Sequence, residues 1–202
     1  MSAEAKNLVV ILGPTGVGKS ATAIHLAREF GGEIINCDSM QVYKGFDIGT
    51  DKPPLSERKG IPHHLLDIAD PSTQFTAAEF ARLAWEAIED ILQKARLPFV
   101  VGGTGLYLRA LLEGLFPGAG KDAALRRRLK REAEEKGLEC LRQKLEAADP
   151  AYAEKIGKRD RVRIIRALEV FYLTGKPLSE HFPNTSSHLD DFHLIKIGLK
   201  LE

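Results

Sequence analysis

The 202-residue sequence predicts an α/β fold in which a parallel sheet is flanked by helices and carries a helical insertion. Three observations predict it. Short apolar runs rich in Val and Ile alternate with stretches of helical periodicity, the pattern of strands buried on both faces of a doubly wound sheet. A glycine-rich segment, Gly13-Pro14-Thr15-Gly16-Val17-Gly18-Lys19-Ser20, stands between the first such run and the first helical stretch. Past Pro117-Gly118-Ala119-Gly120 the composition turns to charged helices, which reads as an inserted subdomain rather than more sheet.

In chain order, Asn7 to Leu12 is a buried strand, and Ala21, Ile24, Ala27 and Phe30 mark a helix that Gly31-Gly32 stops. Glu33 to Cys37 is a second short strand, with Asp38 where its carboxyl end opens into a loop. Gly, Pro and charge from Lys44 to Pro62 suit a surface excursion, and His63 to Ile68 is a third strand. Thr76 and Glu79 have capping-box spacing ahead of a helix whose apolar positions run from Phe80 to Ile91. Pro98 to Val101 is a strand ended by glycines, and Gly105 to Leu115 a helix. The insertion contributes helices over Asp122 to Lys136, Glu139 to Ala147 and Arg161 to Leu173, with Asp149-Pro150 separating the last two. Phe192 to Leu201 returns as a strand. The expected organisation is a core over 1–118, an insertion over 119–176 and a return to the core over 177–202.

A hydrophobic content of 44% with 28% charge suits a buried core, and no apolar run is long enough to cross a bilayer. A signal-peptide pattern is not seen at the N-terminus, so a cytoplasmic protein without membrane attachment is expected; a monomer is expected separately. Cys37 and Cys140 lack metal or disulfide spacing and read as buried, inert thiols. The formal charge of +1 hides an asymmetry: residues 121–166 hold 15 Lys and Arg against 9 Asp and Glu, while the remainder holds 14 against 19. Such a block fits either a surface that meets nucleic-acid phosphates or a solvated helix face.

The segment Gly13 to Ser20 matches the phosphate-binding loop G-x-x-x-x-G-K-[ST] with the strand before it and helix after it that the motif requires, so the fold is P-loop NTPase-like. Its glycines let the backbone wrap phosphate oxygens, its amides and the helix N-terminus supply positive potential, Lys19 adds a mobile charge, and the Ser20 hydroxyl can ligate Mg²⁺. Nucleotide and ATP binding are the usual reading of such a loop. However, Phe99-Val100-Val101 ends in Gly102-Gly103-Thr104-Gly105 rather than in a metal-organising Asp, which weakens an ATPase reading. Two adjacent glycines there allow a ligand or another backbone to approach closely. Asp38 can organise the metal from the second strand, act as a proton acceptor, or merely cap a short helix. His63 and His64 point to opposite faces of a strand and read as structural, and Phe80 and Trp85 read as core.

The motifs GPTGVGKS at 13–20, DSMQVYKGFDIGTDKP at 38–53, HHLLDIADP at 63–71, VGGTGLYLRALLEGL at 101–115 and RIIRALEVFYLTGKPLSE at 163–180 together resemble the bacterial tRNA dimethylallyltransferase family, also called tRNA isopentenyltransferase or IPP transferase. The resemblance implies transfer of a dimethylallyl group from dimethylallyl diphosphate to N6 of the adenosine 3′ of a tRNA anticodon. It implies Asp38 as general base, and the loop amides, Lys19 and a Mg²⁺ held partly by Ser20 as stabilisers of the departing diphosphate. Thr104 corresponds to the family threonine near the reacting centre. Asp38, Ser39, Met40, Gln41 and Thr104 would hold nucleotides beside an extruded adenine of the anticodon stem-loop. Arg126, Val162, Arg163, Ile164, Ile165 and Arg166 match positions that touch tRNA in the family. Family members normally run on in further helix past the strand at Phe192, so a fragment or truncated chain is expected. Competing readings are a small-molecule or nucleotide kinase, an AMP prenyltransferase and an inactive tRNA-binding remnant.

Overall fold

In the computed structural model, which describes residues 6–116, 120–185 and 187–200, the first apolar run forms β1 (Lys6–Leu12), and its side chains divide between two cores. Leu8 and Val10 face one side of the sheet, and Val9 and Ile11 face the other. Both faces are covered, which is why the run is continuously apolar rather than alternating. The remaining strands are β2 (Gly32–Asn36), β3 (His63–His64), β4 (Leu97–Gly102) and β5 (Phe192–Gly198). All pair parallel in the order β3-β2-β4-β1-β5. Leu201, the last residue of the strand expected from Phe192, lies outside the described residues.

Helix α1 (Lys19–Glu29) lays Ala23, Ile24 and Ala27 against Val9, Ile11, Ile34, Phe99 and Val101. On the opposite face α2 (Ala77–Gln93) and α3 (Gly105–Leu112) pack Phe80, Ile88, Ile91, Tyr107 and Leu111 against Leu8, Val10, Ile35 and Val100. Phe80 is fully buried, while Trp85 is half-buried and stacks on His188. The expected capping box is present: the Thr76 hydroxyl accepts from Glu79 N, and the Glu79 carboxylate accepts from Thr76 N. Thr76→Ala should therefore lower stability by about 1 kcal/mol in urea titration; an unchanged midpoint would contradict this.

The third strand is shorter than its apolar run. Leu65 and Asp67 adopt φ of 61° and 56°, left-handed conformations that end the extended backbone after His64. The excursion before it contains one 3₁₀ turn, Ile48–Thr50.

The described chain divides into two compact units, one running to Gly114 and resuming at Ser187, the other spanning Leu115–Ser186. The expected boundary at 118 and 119 falls outside the described residues. The second unit holds α4 (Ala123–Lys136), α5 (Leu138–Ala148), α6 (Pro150–Lys155), α7 (Arg161–Thr174) and α8 (Leu178–His181). Leu129, Leu141, Leu145, Ile164 and Leu168 make its core. Residues from 177 to 185, expected to return to the sheet, stay with this unit because Leu178 is buried in the same core. The short helix α6 is absent from the sequence expectation. Asp149 is its N-cap, accepting from Tyr152 N at 3.0 Å, and Pro150 its first residue. Buried Arg142 donates to the carbonyls of Ala153 and Ile156 at its other end. Among the described residues no helix is long and apolar enough to cross a membrane.

Candidate active site

The loop from Gly13 to Gly18 leaves the carboxyl end of β1 and feeds α1 at Lys19. Gly16 and Gly18 take φ of 81° and 88°, and a Cβ at either would meet nothing within 4 Å, so the demand for glycine is conformational. No acidic residue occupies the first turn of α1, leaving its positive end uncompensated. Pro14, Thr15, Gly16, Gly18 and Ser20 are exposed, Gly13, Val17 and Lys19 half-buried. The Lys19 ammonium donates to Pro14 O at 2.7 Å, across the mouth of the loop.

Beside the loop, the backbone after β2 is locked to the backbone after β4. Cys37 N donates to Val101 O at 2.7 Å and Thr104 N to Cys37 O at 3.3 Å. Ser39 N donates to Thr104 Oγ1 at 3.0 Å. Thr104 thus holds the residues on either side of Asp38. A Cβ on Gly102 would sit 2.1 Å from Cys37 O, and one on Gly103 3.2 Å from Gly13 O. Another backbone therefore approaches closely at both glycines. Burial pushes the Cys37 thiol well above its ordinary range, with the Asp38 charge adding to the effect, so that cysteine is inert. Cys140 is half-buried rather than buried, with its Sγ near Glu132.

Asp38 is half-buried, and its two oxygens differ. Oδ1 accepts from Met40 N at 2.8 Å and Gln41 N at 3.3 Å, closing a turn rather than capping a helix. Oδ2 has no donor among the described residues, so it is the oxygen available to a proton. A cavity of about 270 Å³ brings Asp38 and Gln41 together with Thr15, Gly16, Gly18, Lys19 and Ser20. Asn36, Thr50, Asp51, Glu57 and His63 also line it. Ser39 and Thr104 are not among the residues that line it, and Met40, exposed, borders a separate depression along Gly45 to Thr50.

Several contacts around the cavity have no signal in the sequence. Lys52 is buried, donating to Asp47 Oδ1 at 2.8 Å, Asp67 Oδ1 at 2.6 Å and Tyr43 O at 2.8 Å. Burial would lower its pKa, but the two carboxylates outweigh this and raise it, so it stays charged. Gln41 Nε2 donates to Thr50 O at 2.9 Å, tying the far wall to the turn at Asp38. The buried Asn36 amide donates to Leu65 O at 3.1 Å. The histidines face opposite ways as expected. His63 borders the cavity with a pKa lowered by burial, while His64 Nε2 meets Glu33 Oε2 at 2.6 Å.

In the second unit the basic candidates separate. Val162 is 79% exposed and Arg163 projects beside Asp160, whereas Ile164 and Ile165 are buried in the core. Helical periodicity turns those two inward, so their side chains are removed from any surface, contrary to expectation. Arg126 and Arg166 are partly exposed and share one partner, Glu169.

The Ser20 hydroxyl shares its cavity with the carboxylates of Asp38, Asp51 and Glu57 and with the His63 imidazole, although among the described residues no three or more His, Cys, Asp or Glu side chains are grouped as a metal site. One hydroxyl and one carboxylate suffice for Mg²⁺, which takes one or two protein oxygens and completes its shell from phosphate and water.

Residues 41–202 match the model of a protein family described as IPP transferase. The chain is 49% identical over 200 residues to a tRNA dimethylallyltransferase of Geobacter metallireducens, covering 98% of this chain and 64% of that protein. It is 52% identical to one of Solibacter usitatus, covering 95% and 62%. Among solved structures it resembles a eukaryotic dimethylallyltransferase acting on tRNA, at TM-score 0.79 and 38% identity over 97% of this chain and 49% of that one. It also resembles a full-length tRNA isopentenylpyrophosphate transferase of Bacillus halodurans, at TM-score 0.59 and 42% identity over 96% and 59%. The chain thus spans less than two thirds of the length of these relatives.

Proposed function

The chain belongs to the IPP transferase family, and on that premise we propose that it carries the catalytic part of a tRNA dimethylallyltransferase. Its substrates are then dimethylallyl diphosphate and the anticodon stem-loop of a tRNA. The observation that carries the proposal is one cavity lined both by the phosphate-binding loop and by Asp38, whose Oδ2 has no donor among the described residues. Adenine N6 is a poor nucleophile because its lone pair is delocalised into the ring. As N6 bonds to the allylic carbon, the carbon–oxygen bond to diphosphate breaks and the N6 proton passes to Asp38 Oδ2. The diphosphate leaves with the bonding pair, and the loop amides from Gly13 to Ser20 and the Lys19 ammonium stabilise that charge. Ser20 and an acidic neighbour would hold Mg²⁺, which supplies further neutralisation of the leaving group.

Gln41, with Ser39 and Met40, is assigned to the nucleotides flanking the extruded adenosine, and Thr104 to holding the Asp38 turn that they approach. In the second unit the exposed Val162 and Arg163 and the partly exposed Arg126 and Arg166 are assigned to tRNA, by charge and exposure. The proposal places the reaction in the cytoplasm, where tRNA coexists with reduced thiols such as Cys37 and Cys140, and gives it to a monomer.

Incubation with dimethylallyl diphosphate, Mg²⁺ and unmodified tRNA should yield prenylated adenosine by nucleoside mass spectrometry. Calorimetry should show dimethylallyl diphosphate binding that Lys19→Met weakens about tenfold or more, the scale of a charge-assisted phosphate contact. Tighter binding of ATP than of dimethylallyl diphosphate, with no product, would replace this reading by a kinase.

A further inference from the structure

Glu169 lies on α7 with no exposed surface, and four donors fill its two oxygens. Oε1 accepts from Arg126 Nε at 2.7 Å and Asp122 N at 3.0 Å. Oε2 accepts from Arg126 Nη2 at 2.7 Å and Arg166 Nη1 at 2.5 Å. Arg166 Nη1 also donates to Gly120 O at 2.9 Å. Both guanidinium planes are thereby set, one of them by a bidentate fork that a lysine cannot reproduce. Burial alone would raise the Glu169 carboxyl, but the hydrogen bonds from Arg126, Arg166 and the Asp122 amide hold it below its ordinary value.

The charges do not balance. One carboxylate needs one arginine, yet two are drawn to it, and their side chains keep 31% and 35% of their surface in solvent. Arg126 Nη1 and Arg166 Nε and Nη2 have no acceptor among the described residues. Two like charges held side by side by a buried anion leave a net positive, donor-rich spot suited to a further anion.

We infer that Glu169 is a positioning residue that holds Arg126 and Arg166 as a paired receptor for an RNA backbone phosphate, an inference that rests on the tRNA reading proposed above. Glu169 touches no RNA itself. Its contribution is geometric: two forks are held in place before the phosphate arrives, so less side-chain freedom is lost on binding.

Electrostatics and positioning make opposite forecasts for Glu169→Gln. Removing a negative charge from a basic unit should tighten RNA binding if only net charge counts. If Glu169 positions the pair, binding should weaken about tenfold despite the added positive charge, and the slope of log affinity against log salt should become shallower by about one phosphate contact. The measurement is fluorescence anisotropy of an unmodified anticodon stem-loop RNA with the whole chain over a salt series, below the melting temperature of each variant. Arg126→Lys is the second variant, since it conserves charge and breaks the fork; it should weaken binding likewise. Equal or tighter binding by Glu169→Gln, or unchanged binding by Arg126→Lys, overturns the inference while leaving tRNA recognition intact. Failure of the unsubstituted chain to bind the RNA at any salt overturns the tRNA reading and this inference with it.

Discussion

Asp38→Asn should lower dimethylallyl transfer by about a hundredfold to ten-thousandfold, the range for a lost general base, while RNA affinity stays unchanged. The asparagine substitution is the informative one because the two carboxylate oxygens have separate duties. An amide oxygen in place of Oδ1 can still accept from Met40 N and Gln41 N, so the turn after β2 survives. The amide nitrogen in place of Oδ2 cannot accept a proton. Asp38→Ala, by contrast, removes the base and also leaves two backbone donors without their acceptor, mixing a chemical loss with a structural one. Single-turnover rates with nucleoside mass spectrometry check this. Turnover undiminished in Asp38→Asn would remove Asp38 from the chemistry.

Gly102→Ala should destabilise the sheet unit by more than about 3 kcal/mol, beyond the usual range for overpacking a core. A Cβ there would lie 2.1 Å from Cys37 O, 2.4 Å from its carbonyl carbon and 2.9 Å from its Cα. These are backbone atoms, and Gly102 is itself paired with Leu12 of β1, so neither side can yield without moving a strand. Gly105→Ala is the control: nothing lies within 4 Å of its would-be Cβ, and alanine is the better helix former at the start of α3. Urea denaturation of both variants tests the argument. A Gly102→Ala midpoint matching that of Gly105→Ala would show that the crossing of the two backbones relaxes freely.

What could be read from the residues was local. The phosphate loop, the capping box at Thr76 and the strands buried on both faces all announce themselves within a few positions. Asp149-Pro150 reads as a separator, although Asp before Pro is equally the start of a helix, and α6 begins there. The contacts that build the site are long-range. Thr104 reaches Ser39 across 65 positions and Lys52 reaches Asp67 across 15, and no period or spacing couples them. Lys52 in a charged, glycine-rich stretch reads as solvated; only the convergence of Asp47 and Asp67 makes its burial tolerable. Glu169 falls among apolar neighbours in RIIRALEVF, but its second arginine comes from a different helix. The family resemblance supplied roles for Arg126 and for 162–166 as a block, whereas burial of Ile164 and Ile165 divides that block by helix face.

The pairing of β1 with β5 has a consequence for how the chain is made. Lys6 lies opposite Phe192, so one side of β1 gains its neighbour only after the whole second unit has been synthesised. The helical unit is one continuous stretch of chain with a core of its own, so its folding need not wait for residues still to be added. Until Phe192 to Gly198 emerge, that side of β1 is an open edge of backbone donors and acceptors, the kind of edge on which another chain can pair.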